Sequence, residues 1–96
     1  MNNHVFIFAK ITPKPTYFEV SKEAIKNILP MTRNEPGCLE FTLHEDDAGS
    51  LCLYEEWVDE NALKNHHNMD YTKAVFEAYT NWLAAPPQIS KLMKLA

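Results

Sequence analysis

EPGCLEFTLHEDDAGSLCLYEEW, running from Glu35 to Trp57, is the stretch whose reading decides the fold. Glu35 precedes a proline and is therefore pushed out of the helical region, and Gly37 supplies the turn. A run of alternating character follows. Leu39, Phe41 and Leu43 fall on one face, with Cys38, Glu40, Thr42 and His44 on the other. The segment from Glu45 to Ser50 is polar and holds one of the chain's two glycines, which reads as a hairpin turn. A second strand then puts Leu51, Leu53, Glu55 and Trp57 on one face and Cys52, Tyr54, Glu56 and Val58 on the other. Directly opposed residues share a face, so a register pairing odd with odd positions unites Leu39, Phe41 and Leu43 with Leu53 and Trp57. It also carries Glu55 onto the apolar side, where a carboxylate needs a partner.

Before the hairpin, Val5–Ile11 is apolar on both alternating faces, the pattern of a strand covered on two sides in the middle of a sheet. Pro13 and Pro15 end it. Thr16 with Glu19 three residues later predicts a capping box. Phe18, Ile25, Ile28, Leu29 and Thr32 then form one helical stripe, and Pro30 bends the last turns.

After the hairpin, Asp59 is a good N-cap. The inward stripe is Ala62, Leu63 and His66, and from Tyr71 it becomes Tyr71, Ala74, Val75, Ala78, Tyr79 and Trp82. At about 100° per residue the two stripes differ in phase by roughly 140°, so one straight helix cannot bury both. The sequence predicts a break at Asn68-Met69-Asp70, with Asn68 or Asp70 capping the second piece. Pro86-Pro87 ends it, and Ile89 to Leu95, with Lys91 and Lys94, is an edge-like last strand. The order βαββαβ with an antiparallel hairpin predicts an α+β, ferredoxin-like domain over residues 1–96, its helices on one sheet face. The open face predicts a homodimer.

Composition removes several classes of function. A net charge of −4, with no basic run, argues against nucleic acid. No long apolar span or signal-like start occurs, so the expectation is a soluble cytoplasmic protein with no membrane partner. Cys38 and Cys52 lie near opposite ends of the hairpin, about 20 Å apart at strand rise, and read as free, small buried side chains. No inward His/carboxylate pair at helical spacing suggests a metal site, and no glycine-rich phosphate loop or dinucleotide fingerprint is present.

Three pieces, Glu35-Pro36-Gly37-Cys38-Leu39, then Tyr54-Glu55-Glu56-Trp57, then Ala62 with His66 one turn on, together resemble the antibiotic biosynthesis monooxygenase domain family. The resemblance covers nearly the whole chain. It implies a dimeric α+β barrel with a pocket between sheet and helices. It also implies oxidation of a small electron-rich phenolic or quinol substrate by O₂ with no cofactor, neither metal nor flavin. One branch of the family instead isomerises a small phosphorylated molecule, and another degrades haem. The haem pattern fails here: Val5–Ile11 has no Asn, His66 stands where a Trp is required, and Phe76 where the iron-binding His is required. Many members carry a second His five residues after the first, and this chain has Tyr71 there.

The candidate site follows. By helical phase His66 points inward. As a catalytic residue it holds or deprotonates a substrate hydroxyl, since imidazole titrates near neutral pH; as a core histidine it bonds a backbone carbonyl. Glu55 orients His66 or takes a proton, with a raised pKa if desolvated, or simply ties strand to helix. Trp57, Phe41, Leu53 and Tyr71 are candidate walls for the small-molecule substrate, and each is also explained by core packing. His4 and His67 read as solvated, and His44 as a residue near a dimer contact. Two further readings stay open: isomerase or proton-transfer chemistry on a small polar metabolite, with Lys10 and Arg33 as the basic groups in reserve, and a non-catalytic dimeric ligand-binding module.

Overall fold

A computed structural model describes residues 3–96. Strand β1 (Val5–Ile11) leads through a tight turn into helix α1 (Phe18–Arg33). The hairpin β2 (Cys38–Glu45) and β3 (Leu51–Trp57) follows, then helices α2 (Glu60–His67) and α3 (Asp70–Trp82), and strand β4 (Gln88–Leu92). The sheet order is β2-β3-β1-β4, and every neighbouring pair is antiparallel. β1 and β2 therefore run in the same direction with β3 between them, the split βαβ arrangement of a ferredoxin-like α+β fold.

The odd-numbered face of β1 and β3 carries the core. Val5, Ile7, Ala9 and Ile11 pair with Trp57, Glu55, Leu53 and Leu51, and all eight are buried. Ile25 and Ile28 bring α1 down on this face. Leu51 and Trp57 are completely enclosed. The expectation that β1 is covered on both sides needs correction: within one chain its even face stays partly open, with Phe8 38% exposed. Even the apolar face is interrupted, because Leu39 is 50% exposed rather than in the core. The ladder shifts between Cys38 and Glu40, so Cys38 sits opposite Trp57, and the odd-to-odd register begins only at Phe41 opposite Glu55. The extra residue of that bulge is Leu39. Cys38 packs against the core in its place. Both cysteines are free.

Three local expectations also change. Thr16 is not a cap: Pro15–Tyr17 forms a 3-10 turn and α1 starts from Tyr17 with no side-chain cap. Pro15, with its φ preset, fits the first position of that turn and places the Thr16 side chain inside it. The helix break falls where expected, but Met69 rather than Asn68 or Asp70 is the N-cap of α3, again without a side-chain bond. Along α3 the buried positions are Thr72 and Tyr79, with Val75 half-buried, whereas Ala74 is exposed. Thr72, Val75 and Tyr79 line a space left between α3 and the sheet. Asp59 does cap α2, its Oδ1 accepting the Ala62 N–H at 2.8 Å. His4 is half-buried and bonds Glu56 through Nδ1 at 2.6 Å rather than being solvated. Among the described residues, no helix is long and apolar enough to cross a membrane.

The turn between α1 and β2 controls how closely α2 can approach. The Cys38 N–H bonds the Glu35 carbonyl at 3.1 Å, with Pro36 and then Gly37 at the two central positions and Gly37 at φ 84°, which is the pattern of a type II turn. A Cβ on Gly37 would lie 2.6 Å from Val58 Cγ1 and 2.7 Å from Ala62 Cβ, while one on Gly49 (φ 85°) meets nothing. Both glycines hold backbone conformations that disfavour side chains, but only Gly37 also permits a close contact. Gly49→Ala should therefore cost about 1 kcal/mol from backbone strain alone. Gly37→Ala should cost at least about 2 kcal/mol more, through the added overpacking. Urea melts of the two variants, with equal slopes, would show that order; equal losses would refute the close-approach argument.

Candidate functional site

His66 is on the last turn of α2, one turn beyond the Ala62 that touches Gly37, and its residue is 4% exposed. Its Nδ1 lies 3.0 and 3.2 Å from the two carboxylate oxygens of Glu35. Glu35 sits on the turn before Gly37 and is buried as well. An ionised carboxylate only accepts, so the hydrogen belongs on His66 Nδ1 and the Nε2 lone pair is left available on the other side of the ring. Tyr71, on the first turn of α3, donates its hydroxyl to the same carboxylate at Oε2. Burial, and then the Glu35 carboxylate beside it, push the Tyr71 phenol far above its usual range, so it stays an O–H donor. Thr72 Oγ1 is 3.5 Å from His66 Nδ1, a marginal contact at most.

Aromatic rings hold the imidazole from two sides. Trp57 lies 4.7 Å away, tilted by 32°, and Phe41 meets it edge-on at 5.4 Å. Glu55 does not orient His66 by a hydrogen bond. Its Oε1 accepts the Trp57 indole N–H at 2.9 Å, which fixes the wall behind the imidazole. Burial raises the Glu55 pKa, against the lowering effects of the Trp57 bond and His66.

A cavity of about 400 Å³ lies between the sheet and the helices, within the range of small-molecule sites. Ile7, Ala9, Leu53 and Glu55 form its floor, Phe41 and His66 one wall, and Thr72, Val75 and Tyr79 the roof. Its rim carries Glu60, Lys64 and His67 from α2 and Lys91 from β4. Lys91 Nζ bonds Glu60 Oε2 at 2.6 Å across that rim. His67 is itself exposed on this rim, and partial desolvation of its ring, with His66 beside it, lowers its pKa and favours the neutral form. Of the residues singled out from sequence, His66, Glu55, Phe41 and Leu53 border the cavity. Trp57 and Tyr71 stand behind it, one against the His66 ring and the other on Glu35. Lys10 pairs with Asp46 at 3.8 Å, and Arg33 Nε donates to the Phe41 carbonyl; neither borders the cavity.

Glu35 is the functional candidate that sequence reasoning missed, because its place before Pro36 explained it as a helix stop. The signal lay in the motif itself: a carboxylate beside the glycine that admits the His-bearing helix. Lys64 and Lys91 escaped for another reason, since exposed lysines on a helix and an edge strand look like solvated surface. Among the described residues, no group of three or more His, Cys, Asp or Glu side chains is placed to hold a metal ion.

The raised Glu55 pKa has a definite sign. A carboxyl that holds its proton more tightly in the folded state favours folding below the ordinary glutamate range and loses that contribution as pH rises through the folded value. Glu55→Gln keeps an acceptor for the indole and carries no charge. Its melting temperature relative to the unsubstituted chain should therefore rise progressively from pH 4 to pH 7. A difference that stays flat over this interval would contradict the raised value.

Residues 4–86 match the family described as antibiotic biosynthesis monooxygenase. In structure the chain is similar to Rv0793 from Mycobacterium tuberculosis, with a TM-score of 0.92 and 24% identity over 97% of this chain and 96% of that one. It is equally close to PA3566 from Pseudomonas aeruginosa, with a TM-score of 0.91 and 26% identity over 100% and 98% of the two chains. A curated relative, the uncharacterized protein sll1783 of Synechocystis, is 28% identical over 94 residues. The chain spans 63% of that relative's length, with 96% of its own residues in the comparison. Since the family match runs from the residue ahead of β1 to the prolines after α3, the chain belongs to the antibiotic biosynthesis monooxygenase family.

Proposed function

We propose that this protein is a monooxygenase that oxidises a small electron-rich aromatic, such as a quinol, with O₂ and without a metal or flavin. The observation that carries the reading is an apolar cavity with His66 in its wall, the far nitrogen of that histidine bound to the buried Glu35. In this reading a substrate hydroxyl gives its proton to His66 Nε2, and Glu35 stabilises the imidazolium that forms. The electron-rich anion transfers one electron to O₂, and the two radicals combine at a ring carbon. The resulting peroxide breaks its O–O bond. One oxygen stays on the ring and the other leaves as water, so a dihydroxynaphthalene and O₂ become a hydroxynaphthoquinone and H₂O. Burial raises the Glu55 pKa, which favours the protonated form and makes this carboxyl a candidate to supply a proton to the departing oxygen. The apolar walls keep bulk water from the reactive pair.

O₂ consumption in metal-free buffer with a panel of dihydroxynaphthalenes and benzoquinols tests this. His66→Ala should lower the rate by roughly 10²-fold or more, the usual share of a positioned base. No uptake across the panel would sink the proposal. One observation favours a second reading, proton transfer on a small anionic metabolite: Lys64 and Lys91 supply cations at the rim that Lys10 and Arg33 do not. Turnover under strict anaerobiosis separates the two. A third reading, a non-catalytic dimeric ligand-binding module, would have been favoured by a solid interior, and the void beside His66 removes that support.

We also propose that two copies associate through the open sheet face. Phe8, 38% exposed, and Leu92, 43% exposed, lie near one another there, on β1 and β4. Such an apolar patch on a chain this small is suited to a second copy. Light scattering should return twice the 11.1 kDa chain mass, and Phe8→Lys should shift it toward one. A monomer mass for the unsubstituted protein would refute the association.

A further inference from the structure

We propose that Tyr71 is a positioning residue that sets the proton affinity of His66 through Glu35, and does not itself bind substrate. The proposal deepens the proposed function and rests on its reading of His66 as the proton acceptor. Three observations point to it. Tyr71 does not border the cavity, although it stands five residues beyond His66. Its hydroxyl is spent on Glu35 Oε2, the same oxygen that lies 3.0 Å from His66 Nδ1. Glu35 is buried, so its charge depends on the few donors that reach it.

Those donors come from different elements: Tyr71 from α3 and His66 from α2, meeting a carboxylate on the α1–β2 turn. A carboxylate that shares its charge between a phenol O–H and an imidazole N–H holds the imidazole's extra proton less strongly than one relying on the imidazole alone. Tyr71 thus keeps His66 ready to take a substrate proton. The other titratable groups around His66 are few. Glu55 faces it from β3 and His67 follows it on α2. The Cys38 thiol on β2, pushed up to about 11 by burial and by Glu35 and Glu55, is neutral at working pH. Lys64 is at the rim. None of these donates to Glu35, so the loss of the Tyr71 hydroxyl has no local substitute.

Tyr71→Phe removes the hydroxyl and keeps the ring. NMR titration of the His66 imidazole signals reads the effect without requiring turnover. The His66 midpoint should move up by about one pH unit, the scale of one hydrogen bond to a buried charge. If the protein oxidises quinols, the acid limb of the kcat profile should move by the same amount, with KM little changed. A midpoint that stays in place while only the melting temperature falls would show a purely structural tyrosine and overturn the proposal. Glu35→Gln is the second variant. It removes the charge, and the His66 midpoint should move down; an unmoved midpoint there would also overturn the proposal. Should the two variants show these midpoint shifts while the unsubstituted protein takes up no O₂, the Tyr71 relay stands and the oxidative function fails by itself.

Discussion

The close approach of α2 to Gly37 is the contact on which the rest of the site depends. Gly37 leaves no room for a Cβ between itself, Val58 and Ala62. That contact seats the first turn of α2 against the end of β3 and the start of β2. The Val58 N–H to Gly37 carbonyl bond, at 2.8 Å, ties the end of β3 to the turn ahead of β2. One helical turn past Ala62 the next inward residue is His66, and the residue two before Gly37 is Glu35. The glycine and the histidine–carboxylate pair are thus one unit: the tight contact sets the distance, and the pair uses it.

The buried carboxylates explain why the interior is not a plain hydrophobic core. Glu35 and Glu55 both face the helix side of the sheet, and each is matched to a different donor. Glu55 holds Trp57, and Trp57 holds the His66 ring in place. Glu35 holds His66 itself. Leaving either acid without its donor would expose a buried polar group to the full cost of desolvation. The two acids also differ in surroundings: burial favours the protonated form of Glu55, which accepts from the Trp57 indole, while Glu35 accepts from both His66 and Tyr71.

Much of the fold was legible because it follows from short-range rules. The doubly apolar first strand, the proline–glycine stop, the polar hairpin turn and the phase break between α2 and α3 all appear where periodicity places them. The failures are equally local in cause. Leu39 was assigned inward by strict alternation, and one bulge residue reversed it. Thr16 and Glu19 matched a capping pattern, but Pro15 had already taken the turn. Ala74 fitted the helical stripe but is exposed, and the inward face of α3 is Thr72, Val75 and Tyr79 instead. Of the site, the inward phase of His66 and the odd face of Phe41, Leu53 and Glu55 could be read directly. The partner of His66 could not, because Glu35 and His66 are 31 residues apart and meet only across a turn.

The sequence by itself determined the order of elements, the inward face of β3 and of β2 from Phe41 onward, and the inward direction of His66. These depend on backbone periods of 2 and 3.6 residues and on the fixed habits of proline and glycine. Only the tertiary structure decided which acid holds which ring, that Tyr71 serves Glu35 rather than the cavity, and that a void of about 400 Å³ remains beside His66. Those outcomes depend on the distance between packed layers. That distance is set by the sum of many side-chain contacts, and no single stretch of the chain encodes it.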